Sequence, residues 1–108
     1  GNAKSSKLET GMSALHQEVL RSSFVELKRS LDVEEGILDH LYAESIIPKH
    51  IWKKLHAMKD REDKASDFLH ALPGWGSTAF RHFVTALDKS ETLVHHELAE
   101  MLKNKLLE

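Results

Sequence analysis

The stretch LPGWGSTAFRHF, residues 72 to 83, separates two segments with helical spacing of apolar residues and so decides where the chain turns. Pro73 lacks a backbone donor and clashes with the preceding helical turn, so a helix that reaches it tends to end there. Gly74 or Gly76 can supply the positive φ that such a turn requires. Ser77 is a suitable N-cap for the next helix. We therefore predict a corner between two helices at this point.

Apolar residues recur at helical spacing on both sides of this corner and across most of the remaining chain. Turn and capping signals divide the pattern into six predicted helices: one over residues 13 to 31, a second capped by Asp32 with Glu35 at the third helical position, a third beginning near Pro48, a fourth capped by Asp60, a fifth capped by Ser77 and a sixth opened by Ser90 or Thr92. The serine pair Ser22-Ser23 predicts a kink in the first helix. The spacing places Leu15 and Val94 on inward faces. The predicted fold is all-α, a compact antiparallel six-helix bundle.

The length and the distribution of polar residues indicate one folded domain. Residues 1 to 11 are polar and show no periodicity, so we expect a disordered tail there and a domain over residues 12 to 106. The chain carries 15 basic and 17 acidic side chains, which disfavours general binding to nucleic acid. No apolar run reaches the roughly 20 residues of a membrane span. We expect no nucleic-acid partner, no membrane partner and a cytoplasmic location.

The residues that could act in catalysis or bind a metal do not have the spacing or the motifs that these functions require. Eight histidines are present, but no two of them have the i, i+4 spacing of a helical zinc pair, so surface histidines are the simpler interpretation. There is no cysteine and no nucleophile elbow or phosphate-binding loop. We therefore predict no catalytic residues, no metal site and no cofactor.

Charge is segregated along the chain instead of interspersed. Residues 32 to 44 contain five acidic side chains and no basic one, and helical spacing would place Asp32, Glu35 and Asp39 on one face. Basic residues collect on the first, third and fourth predicted helices. Segregated charge steers complementary surfaces together, which favours a protein-interaction function. The basic third helix, with Lys49, Lys53 and Lys54, keeps a nucleic-acid-binding bundle open as an alternative.

The corner segment FLHALPGWGSTAFRHFVTAL, residues 68 to 87, resembles the helix 4 to helix 5 segment of caspase recruitment domains (CARDs). In that family an apolar helix ends in Leu-Pro, and a glycine followed by x-x-Ala-Phe opens the next helix. Three further segments resemble the matching helices of initiator-caspase prodomains: HQEVL at 16 to 20, ILDHLYAESII at 37 to 47 and HELAEML at 96 to 102. The chain is thus similar to this family over about 90 residues.

The resemblance implies a death-fold, six-helix Greek-key bundle with a bent first helix and no enzymatic activity in this domain. It also implies homotypic binding, in which a basic surface on helices 1 and 4 meets an acidic surface on helices 2 and 3 of another domain. Carried onto this chain, the acidic residues are Asp32, Glu35, Asp39 and Glu44, and the basic residues are Arg21, Lys28, Arg29, Arg61 and Lys64.

The expected partner is the CARD of an adaptor or scaffold in apoptotic signalling. Self-association into a helical or ring-like assembly is a further expectation, because a contact between unlike surfaces can propagate. The alternative is that this chain is itself the CARD of an adaptor or apoptosome scaffold.

Two features depart from the family pattern. The third helix is basic, which weakens its contribution to an acidic surface. Trp75 stands where related prodomains commonly carry a basic residue. It is either a loop aromatic folded over the corner or the exposed anchor of a second interaction surface, since tryptophan is enriched among interface hot spots.

Overall fold

The computed structural model describes residues 11–108, so nearly all of the predicted tail at residues 1 to 11 lies outside the described residues. Within residues 11–108 the fold is all-helical, as predicted, and contains no strand. Its helices are α1 Ala14–Ser22, α2 Phe24–Ser30, α3 Ile37–Ala43, α4 Lys49–Ala57, α5 Arg61–Ala71, a short 3₁₀ helix Leu72–Trp75, α6 Ala79–Lys89 and α7 Leu93–Leu106. None of these helices is long and apolar enough to cross a membrane.

The predicted kink in the first helix is confirmed and amounts to a break. Ser23 leaves the helical region with φ −103° and ψ 4°, so the segment forms the two helices α1 and α2. The Ser22 hydroxyl donates to the Val19 carbonyl oxygen at 3.2 Å. Lys105 of α7 donates to the Ser22 carbonyl oxygen at 3.2 Å. Side-chain bonding to the backbone explains why the helix gives way at this serine pair.

The start of α3 differs from the prediction. Asp32 does not cap a helix: its Oδ1 accepts from the Glu34 backbone N–H at 3.1 Å, which closes a local Asx turn. Turns continue through Gly36, whose φ of +86° places it in the left-handed region, and α3 begins only at Ile37. The predicted capping box of Asp32 and Glu35 is therefore wrong, and these two residues lie in the α2–α3 loop instead of on a helical face with Asp39.

The corner after α5 is a single 3₁₀ turn. Gly76, with φ +110°, provides the positive φ, whereas Gly74 does not. The Ala79 backbone N–H donates to the Gly76 carbonyl oxygen at 3.2 Å. The predicted cap at Ser77 is wrong, because α6 begins after Thr78 and no side chain caps it. The corner reverses the chain and sends Phe80 into the core.

The core lies where α5 and α6 meet the other helices. The α6 helix packs on α3 and α7, α5 packs on α2 and α4, and α1 packs on α7. Phe68, Phe80 and Phe83 are almost fully buried, and the rings of Phe68 and Phe83 lie 5.4 Å apart. The inward placement of Leu15 and Val94 is wrong, since they are 56% and 45% exposed.

The cap of α7 explains the error at Val94. Thr92 Oγ1 accepts from the His95 backbone N–H at 3.2 Å, so Thr92 and not Ser90 is the N-cap of α7. The inward positions of α7 are then its buried residues His95, Leu98, Ala99 and Leu102. A histidine thus occupies a core position that the sequence pattern assigned to a valine.

Candidate interaction surfaces

The acidic residues are brought together from the α2–α3 loop and from α3 by His56 of α4. His56 Nδ1 lies 2.7 Å from Glu34 Oε1, and its Nε2 lies 3.3 Å from Asp39 Oδ1. Asp32 is half-buried and Glu35 is exposed in the same loop, while Glu44 is exposed just after α3. The acidic surface therefore combines a loop with a helix.

Asp39 is oriented by its neighbours and remains accessible. Trp52 Nε1 donates to Asp39 Oδ1 at 3.0 Å, and the Asp39 side chain is still 71% exposed. The Trp52 ring stacks on Tyr42 with 4.6 Å between centroids and 18° between planes. A carboxylate held by two neighbours loses less conformational entropy when it binds a cation. Sequence reasoning missed Trp52, because no local spacing relates residues 13 positions apart on different helices.

Lys64 differs from its predicted role. Its Nζ donates to Glu34 Oε2 at 2.5 Å, and its side chain is only 8% exposed. A long cationic side chain is buried almost only when it is paired, and Glu34 of the same chain provides the pair. In this structure the Lys64 charge is therefore used within the domain to hold the acidic loop against α5. Glu34, which our predicted site omitted, is the residue that links this loop to both α4 and α5.

The other basic residues lie at two places. Arg61, at the start of α5, donates from Nη1 to the Leu31 carbonyl oxygen at 3.2 Å, which brings it to the C-terminal end of α2, the helix that carries Lys28 and Arg29. Arg29 is exposed and Lys28 is half-buried. Arg21 lies on α1, on the other side of the break.

Arg21 is highly exposed and makes two hydrogen bonds to Glu18. These bonds hold the pKa of Glu18 below its ordinary value, mainly through the hydrogen bond itself and further through the charge of Arg21. An ion pair this exposed adds little to the stability of the fold.

Trp75 closes the 3₁₀ turn and is half-buried. Its ring meets that of Phe68 edge to face, with centroids 5.5 Å apart, so part of the indole packs on the core. The rest of the ring faces solvent at the α5–α6 corner. Trp75 thus covers the corner with one part of its ring and leaves the other part accessible.

The expectation that the histidines lie at the surface is wrong for His95, which is 1% exposed. Burial lowers the pKa of His95, against the opposing effect of the Asp32 and Glu35 carboxylates. His16 stacks on Phe80 at 4.3 Å, and burial together with Arg81 lowers its pKa as well. No group of three or more His, Asp or Glu side chains in residues 11–108 is placed to hold a metal ion.

The part of the chain that the structure describes is an all-helical domain with exposed charged groups of both signs. The chain matches the caspase recruitment domain family over residues 17–105, and it belongs to that family. Domains of this class bind other proteins and are not catalytic.

Within the family, the chain is similar to part of a caspase. It is 35% identical over 92 residues to caspase-2 of Gallus gallus, and the match covers 85% of this chain. The chain spans about a fifth of the length of that relative, since the match covers 21% of it. This chain is a homotypic interaction module related to those of caspase signalling.

Proposed function

We propose that this domain links an initiator caspase to the CARD of an adaptor or scaffold protein in cytoplasmic apoptotic signalling. The observation that carries the proposal is that one domain exposes an oriented carboxylate and, on other helices, exposed arginines. The exposed, oriented carboxylate of Asp39 lies on α3, whereas Arg29 and Arg61 lie around the α2–α5 contact. One domain thus carries both halves of a complementary contact.

The proposed surfaces follow the sequence prediction with one change. The acidic surface comprises Asp32, Glu35, Asp39 and Glu44. The basic residues proposed to meet a partner are Lys28, Arg29 and Arg61 around the α2–α5 contact, and Arg21 on α1. Lys64 has instead a supporting role, because it is buried against Glu34.

The small energy of one exposed ion pair requires that several such pairs act together in the contact. An exposed ion pair contributes about 0.2 to 1 kcal/mol, whereas micromolar affinity corresponds to about −8 kcal/mol. A single charge pair therefore cannot sustain recruitment. The orientation of Asp39 by Trp52 and His56 adds preorganisation, which lowers the entropic cost of the contact.

A contact between unlike surfaces leaves one of each surface free and can therefore propagate. We propose that the domain assembles in this way into helical or ring-like complexes, on a six-helix Greek-key core in which α1 and α2 act as one bent helix. Assembly raises the local concentration of the tethered protease domains. A domain without catalytic residues could thereby activate a protease that functions as a dimer.

Charge reversal tests the proposed surfaces. A pull-down against a panel of recruitment domains should lose its captured partner with Asp39→Lys and, separately, with Arg29→Glu. Asp67→Lys is the matched control, since Asp67 is exposed on α5 and belongs to neither proposed surface. If both reversals retain the partner as well as the control does, charge complementarity is not the mechanism.

The similarity to caspase-2 favours a caspase prodomain over the alternative of an adaptor or scaffold CARD. Sequencing of the full-length transcript decides between them. A caspase requires a downstream protease domain with a catalytic cysteine and histidine, whereas an adaptor requires a second interaction domain.

For Trp75 we propose that the solvent-facing part of the indole anchors a second contact between domains. Trp75→Phe keeps an aromatic ring against Phe68 and should retain stability while weakening assembly. Size-exclusion chromatography at increasing concentration measures that effect. Unchanged assembly would leave Trp75 with the role of covering the corner alone.

A further inference from the structure

His95 connects the buried face of α7 to the acidic loop, although the two are far apart in sequence. The Asp32 backbone N–H donates to His95 Nε2 at 3.1 Å across 63 residues. On the other side of the ring, His95 Nδ1 and Ser90 Oγ are 2.8 Å apart. Ser90 Oγ in turn donates to the Glu35 carbonyl oxygen at 3.4 Å. One imidazole and one hydroxyl thus hold both ends of the segment Asp32–Glu35.

These partners determine the protonation state of the ring. Because Nε2 accepts from a backbone N–H, it carries no proton, and the single proton of the neutral imidazole is on Nδ1. Nδ1 then donates to Ser90 Oγ, whose own proton goes to the Glu35 carbonyl oxygen. Each donor in this series of hydrogen bonds from Asp32 to Glu35 meets an acceptor, so the neutral imidazole is the form of His95 that fits.

We infer that His95 is a positioning residue for the acidic surface: its neutral imidazole fixes the backbone of Asp32–Glu35, and its protonation releases that segment. The consequence for partner binding rests on the function proposed above. An imidazolium has two donors and no acceptor, so it would face the Asp32 N–H donor to donor. The acidic loop would have to move away or turn over.

The charged groups around His95 have opposing effects on its protonation. The Asp32 and Glu35 carboxylates on the α2–α3 loop attract an imidazolium, whereas His96 on α7 opposes it. His96 Nε2 is itself bonded to the Ser90 carbonyl oxygen, which holds the α6–α7 turn in place. Burial outweighs the carboxylates and keeps the pKa of His95 low. Carboxylates that turn toward a protonated ring are then unavailable to a partner.

Amide hydrogen exchange at Asp32, followed by NMR on this chain, tests the inference without a partner. Between pH about 7.5 and about 5.5, we expect the protection factor of the Asp32 amide to fall about tenfold in the wild-type chain. His95→Gln keeps an acceptor near the Nε2 position and cannot titrate, so its protection should change by less than about twofold. His95→Leu has no acceptor and should lack the protection at both pH values. The surface variant His50→Gln should behave as the wild type.

The outcomes separate the two proposals. Equal pH profiles in the wild type and His95→Gln, or full protection in a folded His95→Leu chain, overturn the positioning role. Affinity for the recruitment domain captured in the pull-down should fall over the same pH range in the wild type and remain level in His95→Gln. If the exchange results are as expected but this affinity does not change with pH, His95 positions the loop as inferred. The assignment of Asp32 and Glu35 to the interface is then wrong.

Discussion

At the scale of single residues, Glu34 connects three parts of the molecule. Its two carboxylate oxygens lie 2.7 Å from His56 Nδ1 and 2.5 Å from Lys64 Nζ. The Lys64 ammonium is almost fully enclosed, so the pair replaces the hydration that the cation gives up. Removal of only one partner leaves a buried group without its bond, which costs more than removal of both.

Removal of the Glu34 charge should therefore be destabilising. Because Glu34 is itself about one-third exposed, we expect Glu34→Gln to cost about 1 to 3 kcal/mol, less than for a fully buried pair. Adding Lys64→Met should recover part of that loss, as a double-mutant cycle by urea denaturation would measure. Glu18→Gln, in the exposed pair with Arg21, is the control and should leave stability unchanged. Additivity of the Glu34 and Lys64 substitutions would show that the two side chains are not coupled.

Phe80 is a second residue whose effect follows from its surroundings. It is 1% exposed and its ring lies against His16. We expect Phe80→Ala to lower the free energy of unfolding by about 3 to 5 kcal/mol, because it leaves a cavity that the helices only partly close. Denaturant titration measures the loss, and Thr85→Ala on the exposed face of α6 should change stability by no more than about 0.5 kcal/mol. A loss below about 1 kcal/mol at Phe80 would mean that the site collapses readily.

At the scale of elements, local signals predicted the helices better than they predicted where each one begins. Asp60 caps α5 as expected, with its Oδ2 accepting from the Asp63 N–H at 2.8 Å, and Thr92 caps α7. The predicted caps at Asp32 and Ser77 were wrong. Ser77 directly follows Gly76, and Asp32 lies four residues before Gly36. Both glycines have a positive φ, and the helix that follows begins only after them. Sequence alone left open whether Gly74 or Gly76 had that role.

The corner offers a matched pair of glycine substitutions. Gly76 has φ +110° and ψ 172°, a conformation almost confined to glycine, and nothing lies within 4 Å of an added Cβ. Backbone strain is then the only cost, and we expect Gly76→Ala to destabilise by about 1 to 3 kcal/mol. At Gly74 an added Cβ also meets nothing within 4 Å, and φ is not positive. Gly74→Ala should therefore leave the free energy of unfolding almost unchanged. Thermal unfolding of the two variants compares them, and equal melting temperatures would contradict the assignment.

At the scale of the whole molecule, packing buries histidines that the sequence does not distinguish from exposed ones. The pKa values of His95 and His16 are both lowered, chiefly by burial. Between the ordinary histidine pKa of about 6.5 and the lowered folded values, the unfolded chain binds more protons than the folded chain. Stability therefore falls as the pH is lowered through that window, and the effect levels off once the folded-state histidines also titrate.

We expect denaturation midpoints to decrease as the pH is lowered below about 6.5. The combined His16→Gln and His95→Gln substitutions should reduce this dependence, which urea titrations at several pH values would measure. His50→Gln is the control, as His50 is exposed. A pH dependence that is the same in all three chains would mean that these two histidines do not produce it.

The candidate surfaces were predictable only as a set of charged residues. Segregation of charge in the sequence indicated Asp39 and Arg29, and both are exposed in the structure. The sequence did not separate Lys64 from its exposed neighbours, because burial depends on how α5 sits on the α2–α3 loop. Glu34, Trp52 and His95 were missed for the same reason: their partners are 13 to 63 residues away along the chain.

By itself the sequence determined the helical class of this protein, the corner at Pro73 and the break at the Ser22-Ser23 pair. Each of these follows from spacing, ring geometry or hydroxyl bonding within a few residues. Only the tertiary structure decided that Asp39 is oriented by Trp52, that Lys64 is enclosed and that His95 holds the acidic loop. These are contacts between distant segments, and their energies depend on burial and on partners that exist only once the helices have packed.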